Sequence, residues 1–172
     1  MVEERKNAAT LRGNPITLLG PELKPGDKAP DAVVSKSLTE EVRLSDYSGK
    51  VRLISSVPSL DTGVCDAQTR RFNEEAAKLG DDVVVLTISA DLPMAQARWC
   101  GAAGVDRVVV LSDHKHMDFG NKYGLHIKEL RLDMRAVFVI DRDDTIRYVQ
   151  VLREMAEHPD YDAAIAAVKS LL

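Results

Sequence analysis

The segment with the clearest capacity for chemistry is Val57-Pro58-Ser59-Leu60-Asp61-Thr62-Gly63-Val64-Cys65, in which a cysteine follows Pro58 and Thr62 at fixed offsets. It comes after the apolar run Val51 to Val57 and before a helix-like segment, so we expect Cys65 where a strand ends and a helix begins. Backbone N–H groups at a helix start stabilise a thiolate relative to a thiol. An ordinary cysteine is only about 3% thiolate at pH 7, and the thiolate is the nucleophile, so this placement predicts a reactive thiol.

The second cysteine is Cys100, far from Cys65 in the chain. This spacing excludes a Cys-x-x-Cys dithiol, and two cysteines in a chain of this size do not make a structural disulfide framework. In a reducing compartment such a pair is catalytic, redox-active or simply buried. Each cysteine therefore has a plain alternative: Cys65 as an inert buried thiol, and Cys100 as a packing residue on its helix.

Length, composition and charge bound the class of protein. The 172-residue chain, with 45% apolar and 29% charged residues, has the composition of a soluble globular protein. Its net charge of −4 predicts no general attraction to nucleic acid or anionic lipid. No apolar run approaches the ~18 residues of a membrane span, and the acidic N-terminus lacks the pattern of a signal peptide. These features predict a cytoplasmic protein.

The elements that must position the cysteines alternate along the chain. The expected strands are Ile16 to Leu19, Ala32 to Ser35, Val42 to Leu44, Val51 to Val57, Val83 to Ser89, Val108 to Leu111, Ala136 to Ile140 and Ile146 to Val151. The expected helices are Gly63 to Leu79, Leu92 to Cys100, Met117 to Tyr123 and a final one from about Tyr161. This order predicts an α/β protein whose mixed sheet is covered on both faces, which suits a thioredoxin-like architecture. Periodicity alone does not exclude another doubly wound fold.

Several segments together resemble the bacterial thiol peroxidases, the Tpx subfamily of peroxiredoxins. Pro58-x-x-x-Thr62-x-x-Cys65 fits the general peroxiredoxin signature, and the run from Ser59 to Cys65 fits the narrower form of the subfamily. The run from Ile88 to Cys100 resembles the helix that carries the second cysteine of these enzymes. The run from Arg135 to Asp141 resembles the strand that supplies their active-site arginine.

This resemblance covers nearly the whole chain, from about Arg12 to Leu171, and it implies a fold. The implied fold is the thioredoxin-like peroxiredoxin fold, a mixed central sheet flanked by helices with an N-terminal β-hairpin. We accordingly expect one domain over residues 13–172, preceded by an N-terminal extension at residues 1–12.

The resemblance also implies roles for the site residues. Cys65 would be the peroxidatic cysteine, which attacks a peroxide oxygen and becomes a sulfenic acid, and Cys100 would resolve that acid into an intramolecular disulfide. Arg135 would favour the thiolate, Thr62 would orient the peroxide, and Pro58 would shape the pocket. Without the resemblance, Arg135 would be an ordinary charge at a strand end and Thr62 an ordinary helix N-cap.

By the same resemblance the substrate is a hydroperoxide, the reductant is thioredoxin, and the protein is a homodimer that needs no metal or organic cofactor. A different class of function uses the same disulfide: a non-catalytic redox sensor or partner-binding protein, which consumes peroxide once per chain. A disulfide oxidoreductase is a third reading, and the missing Cys-x-x-Cys argues against it.

Asp133-Met134 departs from the family pattern, in which small or apolar residues would precede Arg135. If one strand runs through both Asp133 and Arg135, alternation places them on the same face, where the carboxylate would partly neutralise the arginine. Alternatively, Asp133 lies in the preceding loop and faces water.

Overall fold

The computed structural model describes residues 1–172, in which strands and helices alternate much as the sequence predicts. The strands are β1 (Glu4–Leu11), β2 (Asn14–Leu19), β3 (Val33–Ser35), β4 (Glu41–Arg43), β5 (Val51–Ser56), β6 (Val83–Ser89), β7 (Val109–Ser112), β8 (His126–Ile127), β9 (Leu132–Asp133), β10 (Ala136–Ile140) and β11 (Ile146–Val151). The helices are α1 (Gly63–Leu79), α2 (Pro93–Ala103), α3 (Asp118–Tyr123) and α4 (Tyr161–Lys169), with a short 3-10 helix at Leu44–Tyr47. None of these helices has the length and apolar character needed to cross a membrane.

Seven strands form one mixed sheet in the order β11-β10-β5-β6-β7-β3-β4. Strands β5, β6 and β7 are parallel, whereas the strands on either side of them join antiparallel. Every residue of β5 is buried, as expected for a central strand that is covered on both faces. The predicted mixed sheet with flanking helices is confirmed.

The two faces of this sheet are covered differently. On one face, Phe72 of α1 and Val168 of α4 pack against Leu53 and Val139. On the other face, Phe119 of α3 packs with residues of a second, four-stranded sheet of order β1-β2-β8-β9. Because α1 follows β5 directly, its first turn lies at the carboxyl edge of the parallel strands, where α/β proteins place their sites.

The N-terminal residues differ from the prediction. Residues 4–11, expected to be an extension, form β1, which pairs with β2 in a hairpin and buries Ala9 completely. The alternating pattern of a strand is hidden here because β1 has a register shift between Arg5 and Ala9, and Asn7 adopts a positive φ of 57°. Such a bulge breaks the two-residue periodicity by which a strand is recognised.

Candidate active site

Cys65 is the third residue of α1 and is completely buried. The helix begins after Thr62, whose backbone is extended (φ −111°, ψ 149°). The first N–H groups of a helix have no acceptor within the helix, and they give its N-terminus a partial positive charge. The thiol therefore lies in a dry site whose backbone dipoles favour negative charge, as the sequence predicts from its position between strand and helix.

Arg135 is the permanent charge beside this thiol. Its Nη2 donates to Cys65 Sγ at 3.2 Å, and only 2% of the residue is exposed. Its other two nitrogens also donate: Nη1 to Gln68 Oε1 at 3.0 Å and Nε to the Met155 carbonyl at 2.7 Å. The guanidinium is thus held in one orientation, and a fixed cation in contact with a buried sulfur stabilises its thiolate form.

Gln68 holds the arginine in place and was missed by the sequence analysis. It is completely buried, and its Nε2 donates to Ser55 Oγ at 2.8 Å. This bond fixes the side-chain amide so that its oxygen faces Arg135. Because the acceptor is neutral, it orients the guanidinium without cancelling its charge. The available signal was spacing, since residues three apart share a helix face and Gln68 is one turn after Cys65.

The other two predicted residues lie in the loop between β5 and α1. Pro58 is buried there, whereas Thr62 is exposed. The Thr62 hydroxyl donates to the Ser59 carbonyl at 3.1 Å and makes no hydrogen bond to Cys65 or to its own helix. The structure therefore brings Cys65 and Arg135 into contact. Pro58 and Thr62 lie just before Cys65 in the chain, and the Thr62 hydroxyl is turned to the loop backbone.

Cys100 has a different environment from Cys65. It is half-buried on α2, where it lines a groove of about 370 Å³ with Pro93, Ala97 and Val110 among others. Cys65 does not line that groove, and both thiols are free. Burial raises the pKa of the Cys100 thiol, and a hydrogen bond with its own backbone only partly offsets that effect.

Helix α2 continues beyond the predicted end at Cys100. It ends at Ala103, where Gly104 adopts the left-handed conformation (φ 68°) and donates its N–H to the Cys100 carbonyl. Gly101, the residue after the predicted end, is still helical, and Gly104 is the residue that provides the left-handed cap. Cys100 therefore lies inside the last turn of the helix, with its carbonyl engaged.

Asp133 follows neither of the alternatives expected from the sequence. It belongs to β9, a strand of the smaller sheet, and is completely buried. Its carboxyl group faces that of Asp113, and the three side-chain nitrogens of Arg135 donate to other partners. The strand does not continue through Met134, so alternation does not bring Asp133 to the face of Arg135.

No group of three or more histidine, cysteine, aspartate or glutamate side chains is arranged to hold a metal ion. His114 and His116, which are close in the sequence, lie in the turn after β7. There the ring of His116 contacts Glu41 at 3.0 Å.

Known proteins resemble this chain over most of its length. A model of the Redoxin family matches residues 24–165. A thiol peroxidase of Bacillus subtilis (strain 168) is 58% identical over 163 residues, which cover 95% of this chain and 97% of the relative. The chain belongs to the thiol peroxidases of the redoxin family. A thiol peroxidase of Staphylococcus aureus (strain MRSA252) is 52% identical over 162 residues, which cover 94% of this chain and 98% of the relative.

Solved structures show the same fold. A peroxiredoxin-like protein from Aquifex aeolicus matches with a TM-score of 0.90 and 40% identity over 99% of both chains. A thiol peroxidase from Chromobacterium violaceum, at 19% identity, matches with a TM-score of 0.82 over 94% of this chain and 95% of its own, and shows the likeness of fold alone. The peroxiredoxin fold expected from the sequence, with its N-terminal hairpin, is confirmed for this thiol peroxidase.

Proposed function

We propose that this chain reduces hydrogen peroxide and organic hydroperoxides with Cys65 as the nucleophile. The observation that carries the proposal is the contact between Arg135 and the buried Cys65 sulfur. The thiolate attacks one peroxide oxygen, the O–O bond breaks, and the other oxygen leaves with a proton as water or an alcohol. Cys65 becomes a sulfenic acid.

The neighbouring residues support this step. Negative charge moves from sulfur onto the peroxide oxygens during the attack, and Arg135 is the donor that can stabilise it at both places. Thr62 carries a hydroxyl that both accepts and donates, so rotation away from the Ser59 carbonyl would let it orient the peroxide. Pro58 is buried in the same loop, lacks an N–H group and shapes the pocket.

We further propose that Cys100 resolves the sulfenic acid. Its thiol attacks the Cys65 sulfur, water leaves, and an intramolecular disulfide forms, which thioredoxin reduces by thiol–disulfide exchange. Cys65 is enclosed and Cys100 lines a separate groove, so the loop before α1 must unfold locally before the two sulfurs can meet and bring their Cα atoms within the about 7 Å that a disulfide needs. A homodimer in the bacterial cytoplasm fits the family, and a reducing compartment fits a resting state in which both thiols are free.

The test is turnover with thioredoxin, thioredoxin reductase and NADPH. The wild-type chain should consume many equivalents of peroxide. Cys65→Ser should consume none, because an alcohol has almost no nucleophilic form at neutral pH. Cys100→Ser should react once with peroxide and then stop, and mass spectrometry should find a sulfenic or further oxidised Cys65 instead of a Cys65–Cys100 link.

Three outcomes would contradict parts of this proposal. Appreciable turnover by Cys65→Ser would remove Cys65 from its role. Wild-type protein that reacts with one equivalent and no more, with reductant in excess, would be a redox sensor. Wild-type protein that forms only intermolecular disulfides would exclude resolution by Cys100 of the same chain while leaving peroxide reduction intact.

A further inference from the structure

One carboxylate joins the loop before Cys65 to the strand that precedes α2. Asp91 Oδ1 accepts a hydrogen bond from the Ser59 hydroxyl at 2.7 Å. Its Oδ2 accepts from the Leu60 N–H at 2.8 Å and from the Ser89 hydroxyl at 2.7 Å. Asp91 stands two positions before Pro93, the first residue of the helix that carries Cys100.

These bonds are the ones that the loop donates to the rest of the protein. Within residues 58–62, the Asp61 N–H donates to Ser59 Oγ, and both the N–H and the hydroxyl of Thr62 donate to the Ser59 carbonyl. The two hydrogen bonds that residues 58–62 donate outside the segment both end on the Asp91 carboxylate. We name this set of contacts the Asp91 bridge.

The far side of the bridge is firmly anchored. The Asp91 carbonyl accepts from the Ser112 hydroxyl at the end of β7, at 2.5 Å. Ser89, which also donates to the carboxylate, in turn accepts from Gln96 Nε2 of α2 at 3.0 Å. Asp91 is therefore held by Ser89 and Ser112 independently of its contacts with the loop.

We propose that Asp91 is a positioning residue which keeps the Cys65 loop folded and thereby controls how the sulfenic acid is used. The proposal rests on the proposed two-cysteine cycle. In the folded loop, Cys65 is enclosed and Cys100 lines a separate groove. The sulfenic acid can meet a second peroxide there, giving a sulfinic acid and water or an alcohol. With the bridge open, it can meet the Cys100 thiol, giving the disulfide and water.

Asp91→Asn changes this balance in opposite directions for the two reactions. The variant keeps the size of the side chain but loses its charge and one acceptor, and hydrogen bonds to an ionised carboxylate are among the strongest in proteins. After one equivalent of peroxide, we expect disulfide formation about tenfold faster than in wild type. With excess peroxide, we expect several-fold less sulfinic acid. The free energy of global unfolding is measured in parallel by urea, since a faster disulfide step without an equal loss of global stability assigns the effect to the loop.

The matched control is Asp61→Asn, which removes an exposed carboxylate from the same loop and should leave both rates unchanged. Ser59→Ala removes only the bond to Oδ1 and should give a smaller acceleration, about threefold, even if Asp91→Asn folds poorly. Disulfide formation in Asp91→Asn or Ser59→Ala no faster than in wild type would overturn the proposal.

Hydrogen exchange tests the bridge without any cysteine chemistry, and so separates it from the proposed function. In the reduced protein, the amides of residues 60–66 should exchange about tenfold faster in Asp91→Asn than in wild type, while those of α4 keep their rate. Equal rates at residues 60–66 would contradict the bridge. A wild-type protein that forms no Cys65–Cys100 disulfide would contradict the two-cysteine cycle, whatever the exchange shows.

Discussion

Two buried ionisable clusters lie on either side of Met134, and they treat charge in opposite ways. In the first, the guanidinium of Arg135 faces the thiol of Cys65, and its other two nitrogens donate to the neutral oxygens of Gln68 and Met155. In the second, the acids Asp113 and Asp133 face each other, and neither oxygen of Asp133 has a donor in the structure.

The acid pair is built around the start of α3. Asp113 accepts from the N–H groups of Phe119 at 3.0 Å and Gly120 at 2.8 Å. Gly120 leaves room for the pair, since a Cβ there would clash with Asp133 Oδ1. Burial raises the pKa of Asp113 to about 6, and burial together with the charge of Asp113 raises the pKa of Asp133 well above its ordinary value.

The difference shows how buried charge is used in each cluster. A cation beside a thiol stabilises the thiolate, which is the form that reacts, so the charge of the first cluster serves the reaction. Two acids that face each other stabilise a bound proton, so the second cluster couples folding to pH. The catalytic proposal concerns the first cluster, and the second predicts how the stability of the same protein depends on pH.

The largest expected effect follows from removing the cation. Arg135→Met keeps much of the length of the side chain but loses its charge and its donors. The rate of the first reaction with peroxide should fall about 100-fold, which is roughly 2.7 kcal/mol of lost transition-state stabilisation. Stopped-flow mixing of the reduced protein with peroxide measures this rate.

Arg135→Lys is the matched control, because it keeps a charge but not the planar set of donors that engages three partners at once. It should recover part of the lost rate. An unchanged rate in Arg135→Met would show that the contact with Cys65 has no role in the reaction.

A smaller effect is expected from charging the acceptor of Arg135. Gln68→Glu keeps the shape of the side chain but places a carboxylate one helical turn from Cys65 and in contact with the guanidinium. The carboxylate offsets the charge of the cation that faces the sulfur, so the peroxide reaction should slow about tenfold. Stopped-flow rates measure this effect.

Gln68→Met removes the amide without adding charge and separates orientation from electrostatics. If orientation alone matters, both variants should lose the same factor in rate. If the charge matters as proposed, Gln68→Glu should lose a larger factor than Gln68→Met.

The site shows which contacts can be read from the chain and which cannot. Pro58, Thr62 and Cys65 are close in sequence, so their arrangement follows from one loop and one helix start. Arg135 was expected only from a resemblance between motifs, because no local pattern links a strand start to a distant cysteine. Gln68 was within reach of helix periodicity and was overlooked.

The pairing of Asp113 with Asp133 could not be predicted from patterns in the sequence. Asp113 and Asp133 come together only because the short strands β8 and β9 pair on the smaller sheet, and two-residue strands carry no periodicity. Alternation would place Asp133 beside Arg135 only if one strand ran through both, whereas β9 and β10 belong to different sheets, and the other alternative, a loop facing water, fails because Asp133 is buried. Long buried strands such as β6 and the helix α1 were predicted with their observed bounds, since their patterns extend over many residues.

The smallest expected effect is on stability, through Asp133→Asn. The folded pair keeps protons that the unfolded carboxyls release above pH ~4, so its contribution to stability is complete below that pH. That contribution is lost as the pH rises through the pKa of about 6 of Asp113 and beyond. An asparagine supplies an N–H donor to Asp113 and removes the facing acid, so the variant should be more stable than wild type by about 1–2 kcal/mol at pH 8. This advantage should shrink towards pH 4. Urea unfolding at a series of pH values measures this advantage.

The measured quantity is the difference in the free energy of unfolding between the variant and wild type. Taking this difference cancels the opposite contributions of surface carboxylates such as Asp31 and Asp144, whose pKa values are lowered. Asp61→Asn should show no such trend. A difference between Asp133→Asn and wild type that stays constant from pH 4 to 8 would show that the pair does not share its protons.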